Sequence, residues 1–393
     1  MYCAAAGVVA LQLDGVTSYV SENPLVAAAI ALGILLVLAG VGLGVRRLLQ
    51  SGGQRLAKLL GRQDSVAVLM HPNPDPDAMS AAMAVAAMAD YVGTDATLHY
   101  PGQIRHQENR AFETVLDLDF DRIESSAELP DAPVVLVDHN EPRGFSGAEA
   151  IDPVAVVDHH PGGGEGTAFT DVRTENGACA SIFAEYFEEM GWETVDPEEL
   201  ATLEDTEGVL APDVATGLLY GIQSDTKHLT KGCSPAEFEA SAYLYPGIDE
   251  DSLDRIANPE VDAEVLDIKA TAITQRSVKN AFAVSDVGTV SNVDAIPQAA
   301  DELLRLEGVT AVVVFGDNDG TIHLSGRSRD DRVHMGKALR AVVEDVPMAG
   351  AGGHARMGGG QLSIEHMEGI GPSEGLSRNQ FEQRLFDAMA GDL

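Results

Sequence analysis

Beyond residue 64 the chain alternates short apolar runs with longer stretches of helical composition. The runs VAVLM, ATLHY, PVVLV, PVAVV and AFTDV read as strands. Between several of them lie helical stretches: SAAMAVAAMADYVG, closed by Gly93, and ACASIFAEYFEEMG, closed by Gly191. Strands alternating with helices predict an α/β fold with a doubly wound, mostly parallel sheet over residues 64–254. In such sheets ligand groups gather beyond the carboxyl ends of the strands. Near 255–278 the apolar stripes fade and a helical connector is predicted. After it AFAVSDVGTV, VTAVVVFGDNDGTIHLSGRS and QLSIEHM supply the strands of a smaller α/β domain, 279–393, with a tight turn at Asp317-Asn318-Asp319-Gly320.

The N-terminal pattern differs. Leu25 to Val45 is a run of 21 residues without a charge, which as a helix would be about 31 Å long and match a bilayer core. Residues 1–24 precede it, and a basic juxtamembrane segment, 46–63, follows. All five bases of the first 63 residues (Arg46, Arg47, Arg55, Lys58, Arg62) come after the run. The positive-inside rule then predicts one membrane span at 25–45, residues 1–24 outside, and the remaining chain in the cytoplasm. A cleaved signal peptide would carry its positive charge before the apolar run instead.

Charge adds one inference. Across 393 residues, 62 acids stand against 25 bases, and six of those bases are lysine. An acidic excess spread along the whole soluble part is the pattern of a protein kept solvated in concentrated salt, so a halophilic source is expected. It also argues against long nucleic acid as a partner, because phosphate neutralisation needs a basic track. Three cysteines, Cys3, Cys179 and Cys233, make no C-x-x-C pair. Neither a disulfide framework nor a cysteine zinc site is indicated.

Candidate chemistry sits where the fold prediction puts ligands. Three predicted strands end in acid or histidine: SVAVLM runs into His71-Pro-Asn-Pro-Asp75-Pro-Asp77, VVLV into Asp138-His139-Asn140, and VAVV into Asp158-His159-His160-Pro161. A helical stretch, ATGLLYGIQSDTKHL, delivers Asp225. One such aspartate reads as a helix cap or turn. Capping does not call for histidine, and three such ends point to a metal centre. Oxygen and imidazole donors without thiolate suit manganese, with magnesium as the alternative.

The set HPNPDPDA, LVDHN, VVDHHP and GIQSDT resembles the four motifs of the DHH phosphoesterases, and HLSGRSRDD with AGGHARMGGG resembles the DHHA1 substrate-binding domain that accompanies many of them. The resemblance spans about 64–393 and is nearest to the branch of nano-RNases and pAp phosphatases. RecJ-type exonucleases, membrane-bound cyclic-di-AMP phosphodiesterases and family II inorganic pyrophosphatases are more distant relatives. It implies that His71 and Asp75 ligate one Mn2+, that Asp77, His159 and Asp225 ligate a second, and that Asp138 bridges both. It assigns His160 to the scissile phosphate or leaving group, and Arg327, Gly352, Gly353 and His354 to substrate. His139 is expected to be structural and Asp158 to orient an imidazole. Met79 and Ala351 stand where glycine is common in the family, and neither would supply a ligand. The loop PGGGEG, 161–166, could line a cleft between the domains, but a flexible loop is the expected reading.

The expected activity is hydrolysis of phosphodiester bonds in small nucleotides, either oligonucleotides of about two to four residues, which one or two phosphate contacts would suffice to hold, or cyclic dinucleotides. A pAp phosphatase, an inorganic pyrophosphatase and a membrane-tethered nucleotide sensor are the alternatives. The expected partners are the nucleotide and the membrane, with a homodimer left open.

Overall fold

The computed structural model describes residues 50–104, 106–203, 206–369 and 375–393, and Leu32 alone before them. The predicted span at 25–45 therefore lies outside the described residues. No helix among the described residues is long and apolar enough to cross a membrane. The chain divides into two compact units at Pro259/Glu260. Of the stretch 255–278, residues up to Pro259 belong to the first unit and the rest to the second.

The first unit is built on six parallel strands: β1 (Ser65–Leu69), β2 (Asp95–Pro101), β3 (Asp121–Ile123), β4 (Val134–Val137), β5 (Ala155–Asp158) and β6 (Phe169–Val172). Their order in the sheet is β3-β2-β1-β4-β5-β6. Strand order reverses between β1 and β4, which is the switch point where doubly wound sheets bind ligands. The continuous apolar runs follow from burial on both faces. Val66, Val68, Val135, Val137, Ala155 and Val157 face the main core, whereas Leu69, Leu136 and Val156 face a smaller one.

Seven helices of this unit are α1 (Gly52–Leu60), α2 (Pro76–Tyr91), α3 (Gln107–Val115), α4 (Cys179–Glu189), α5 (Pro212–Asp225), α6 (Pro235–Leu244) and α7 (Glu250–Ala257). Helix α1 lies within the stretch expected to be a juxtamembrane segment. Its Leu56 and Leu60 are nevertheless fully buried, so these residues belong to the core of the unit. The predicted glycine stops hold: Gly93 and Gly191 follow α2 and α4 with left-handed φ of 76° and 80°. Helix α2 starts four residues before Ser80, with Asp75 as its cap and Pro76 in its first turn. It is apolar all round because it is buried all round. At Gly221 of α5 a Cβ would meet Ser80 Oγ at 2.5 Å and Asp77 Cα at 3.2 Å. The missing side chain lets α5 lie against the first turn of α2.

The second unit carries a mixed sheet of β7 (Ser277–Lys279), β8 (Phe282–Thr289), β9 (Ala311–Asn318), β10 (Thr321–Ser328), β11 (Gly350–Gly353) and β12 (Met357–Ser363), in the order β11-β12-β10-β9-β8-β7. Only β8 and β9 pair in parallel. Alternation along β9 sends Val313 and Phe315 to one core and Val312 and Val314 to the other. Helices α8 (Ala263–Thr274) and α9 (Ala295–Leu303) cover one face, and α10 (Met335–Val343) and α11 (Arg378–Ala390) the other. The predicted turn closes the β9–β10 hairpin through Asp319 and Gly320, with φ of 49° and 78°, the two left-handed residues such a hairpin needs.

Candidate metal centre

Sheet order explains the site. Strands β1, β4 and β5 are neighbours, so whatever follows each strand is delivered to one place, and the residue after β4 must stand between the other two. That residue is Asp138. Its backbone is left-handed, with φ of 59°, a conformation a non-glycine residue adopts at a cost, and its N–H donates to the Val157 carbonyl at 3.0 Å. The carboxylate is 1% exposed. Its two oxygens face opposite ways: Oδ2 lies 3.3 Å from His71 Nε2, and Oδ1 lies 3.3 Å from His159 Nε2.

Around these two contacts the other predicted residues assemble. His71 Nε2 is 3.7 Å from Asp75 Oδ1. Asp75 also caps α2 by accepting from the Ala78 N–H, so the cap reading and the ligand reading apply to the same carboxylate. His159 Nε2 is 3.6 Å from Asp77 Oδ2 and 3.5 Å from Asp225 Oδ2. Asp77 is fully buried and accepts from the N–H groups of Cys179 and Ala180 at the start of α4, at 2.6 and 2.7 Å. The helix N-terminus thus fixes it and supports its charge. Ligand atoms within 4.8 Å of one another form the sets His71/Asp75/Asp138, Asp77/His159/Asp225 and Asp138/His159/His160.

The imidazoles are oriented from behind. His71 Nδ1–H donates to its neighbour's carbonyl, Pro72 O, at 3.0 Å, and His159 Nδ1–H to Asn176 O at 3.2 Å. Each Nε2 lone pair is thereby directed into the cluster. Asp158 does orient an imidazole, but that of His160: its Oδ1 is 3.0 Å from His160 Nδ1 and accepts the N–H groups of His159 and His160. His139 is buried, with Nδ1 on the Val137 carbonyl at 2.9 Å. Burial holds its basicity down, to about 4.

Electrostatically the cluster draws in positive charge. Burial, with Asp138 and Asp225 alongside, pushes Asp77 well above the usual carboxylate range. Burial, with Asp75 and Asp138, lifts Asp225 to about 7. At His71 and His159 burial opposes the charged form, yet attraction to Asp138 and the other carboxylates prevails and holds them up at about 11 and about 10. Asp138 Oδ1 and His159 Nε2 are buried without a hydrogen-bond partner. Such orphaned atoms are rare, and here they point at each other. A divalent cation would satisfy both, and the oxygen and nitrogen donor set fits manganese or magnesium.

Some contributors lie outside the expected site residues. Asn140 donates to Asp158 Oδ2 at 2.6 Å and to the His160 carbonyl at 3.2 Å. A Cβ at Gly162 would fall 2.1 Å from Asn140 Oδ1, and one at Gly164 would fall 1.7 Å from the Asn140 carbonyl. The PGGGEG loop, taken as merely flexible, is instead packed onto the residue that braces the Asp-His-His turn. Consecutive glycines directly after that turn were the available clue.

In the second unit the predicted substrate residues are more tied up than expected. Arg327 is only 15% exposed and pairs with Asp301 at 2.6 Å. Arg332 and Arg356 pair with Asp330 and Asp331, and Arg329 donates to the carbonyls of Leu304, Leu306 and Val309. Arg327, Arg329, Arg332 and Arg356 are thus neutralised locally. Gly350, Ala351, Gly352, Gly359, Gly360 and Gln361 line a concavity of about 500 Å³. At Gly352 a Cβ would meet nothing, whereas at Gly353, with φ of 140°, it would strike the Met357 carbonyl. His354 is exposed just beyond.

Comparison with known proteins agrees with this geometry. The DHH family N-terminal domain matches residues 65–222, and the DHHA1 domain matches 279–370. An uncharacterized protein of Methanocaldococcus jannaschii is 32% identical over 339 residues, covering 85% of this chain and 66% of that protein. The cyclic-di-AMP phosphodiesterase GdpP of Geobacillus thermodenitrificans is 28% identical over 324 residues, covering 78% of this chain and 46% of that protein. A probable manganese-dependent inorganic pyrophosphatase of Deinococcus radiodurans is 29% identical over 266 residues, 64% of this chain and 66% of that protein. The chain spans between about half and two-thirds of the length of these relatives. Two domain matches in this order, together with the assembled aspartate and histidine cluster, lead to one conclusion: the chain belongs to the DHH family and carries a DHHA1 domain after its DHH domain.

Proposed function

We propose that the chain is a metal-dependent phosphoesterase that hydrolyses phosphodiester bonds in small nucleotides, either short oligonucleotides or cyclic dinucleotides. The observation that carries this reading is Asp138, whose two buried oxygens each face a different histidine–carboxylate set. His71, Asp75 and Asp138 would hold one cation, and Asp77, His159 and Asp225 with Asp138 a second, manganese being the choice that best suits the donors. Bound divalent ions supply positive charge against phosphoryl oxygens and acidify water.

The remaining steps belong to side chains of this chain. His160 is fixed through Nδ1 by Asp158 and its ring is about half exposed, 47%, so Nε2 is free to face a substrate. The hydrogen bond that its Nδ1–H donates to Asp158 raises its basicity, which lets it donate a proton or hydrogen bond at Nε2 to the leaving oxygen or a phosphoryl oxygen. No residue acts as a covalent nucleophile. The acidic balance of the whole chain and the paired arginines of the second unit favour a small substrate over a long strand.

We likewise propose that residues 25–45 cross the membrane once, with 46–393 on the cytoplasmic side. That reading rests on the uncharged run and on the bases that follow it.

The test is hydrolysis by the full chain, with manganese and at high potassium chloride, of cyclic-di-AMP, 3′-phosphoadenosine 5′-phosphate, pyrophosphate and single-stranded oligonucleotides of increasing length. Turnover should be greatest on cyclic or linear dinucleotides and fall steeply with length. Turnover of pyrophosphate alone, or processive degradation of long strands, would contradict the proposal.

A further inference from the structure

Most of the described arginines are held by a carboxylate or carbonyl. Helix α1 and its end carry three bases close together that are not. Arg55, Lys58 and Arg62 are exposed, and no carboxylate among the described residues pairs with any of them. Spacings of three and four put them along one face of the helix and its end. They surround a cavity of about 230 Å³ whose other walls include Gln50 and the β6 residues Phe169 and Thr170. Arg55 is set over the Phe169 ring, 5.3 Å from its centroid. Asp171, the carboxylate of β6, is held by Arg173 and Tyr186, and Arg55 adds to the attraction that keeps it ionised without forming an ion pair with it.

Bases at the end of a helix are commonly explained by its dipole. That accounts for Lys58, in the last turn, but not for Arg55 in the middle. The cavity is smaller than the ~300–1,000 Å³ of sites that enclose a whole ligand, and it suits a single charged group. The three bases in its lining match the charge of a phosphate ester. Gln50 follows five residues after the uncharged run that ends at Val45, and bases just cytoplasmic of a span face anionic headgroups.

We propose that Arg55, Lys58 and Arg62, with β6 as the opposite wall, bind the phosphate of an anionic lipid headgroup. The pocket itself rests on described residues alone, and its assignment to lipid rests on the proposed span. It is independent of the metal centre. A bound headgroup would fix α1, and through Leu56 and Leu60 the catalytic core, against the membrane surface.

The test uses the full chain in a neutral detergent and titrates monomeric dihexanoyl-phosphatidylglycerol, dihexanoyl-phosphatidylcholine and inorganic phosphate by calorimetry. The glycerol lipid should bind, and the zwitterionic choline lipid and free phosphate should bind much more weakly. Combined Arg55→Gln, Lys58→Gln and Arg62→Gln should weaken glycerol-lipid binding about a hundredfold, and Lys58→Gln alone about fivefold. Both variants should keep the thermal midpoint and the manganese-dependent hydrolysis of the parent, which separates this site from the catalytic reading. Equal affinity for inorganic phosphate would overturn the lipid assignment, and absence of binding, or no loss in the variants, would overturn the site.

Discussion

The two sheets of this molecule treat charge in opposite ways. At the carboxyl edge of the first, four carboxylates and three imidazoles converge with no arginine or lysine paired to them among the described residues, and two of their atoms are buried without a partner. On the second, each arginine between 327 and 332, and Arg356, already has a carboxylate or carbonyl. The first arrangement is costly as a purely structural device, because three imidazoles do not balance four carboxylates and two buried polar atoms lack a partner, and it therefore points to a cation. The second needs nothing added. Unmatched charge, rather than density of charge, marks the chemistry.

If that contrast is right, Asp138→Ala should be the most damaging change. It should lower manganese-dependent turnover by several orders of magnitude while circular dichroism shows the fold retained. His139→Ala, one residue on, should cost stability much more than turnover. Comparable activity in Asp138→Ala and the parent would remove the basis of the contrast.

Next in size is a change that pushes the walls apart. Gly221→Ala places a methyl against Ser80 and the Asp77 backbone, which should separate α5 from α2 and so Asp225 from Asp77. Overpacking of this kind costs about 1–3 kcal/mol. Thermal denaturation should show a lower midpoint, and manganese should recover less of it than in the parent.

A smaller effect belongs to the residue behind His160. Asp158→Asn should reduce kcat by about tenfold to a hundredfold with manganese affinity nearly intact. His160→Ala should do the same, and the double variant should add little, since both act through one imidazole. Additive losses would mean that Asp158 serves something other than His160.

The smallest effect is expected where charge is already matched. Arg327→Ala should raise KM only a few-fold, because its guanidinium is already engaged by Asp301. Asp301→Asn, which releases that guanidinium, should lower KM if Arg327 contacts substrate.

How far the sequence foretold this depends on whether a feature is local. The parallel strands, their polar ends and the glycine stops at Gly93 and Gly191 are written in adjacent residues, and each is where the pattern put it. That Asp138 stands between His71 and His159 follows from strand order, which the family motifs imply but the spacing does not state. Long-range partners left no trace: the Asn176 carbonyl behind His159, the α4 amides behind Asp77, and Asp301, which lies 26 positions from the arginine it neutralises. Helix α1 was hidden by its position after an apolar run, where its bases read as a topology signal and its buried Leu56 and Leu60 did not stand out.

The central claim is that Asp138 joins two cation sites. Counting manganese bound per chain, with the electron paramagnetic resonance spectrum taken on the same sample, tests it most directly. The account predicts two ions and a spin-coupled pair in the parent, and loss of the coupled signal in Asp138→Ala. A single uncoupled ion in the parent, or a coupled pair that survives Asp138→Ala, would contradict it.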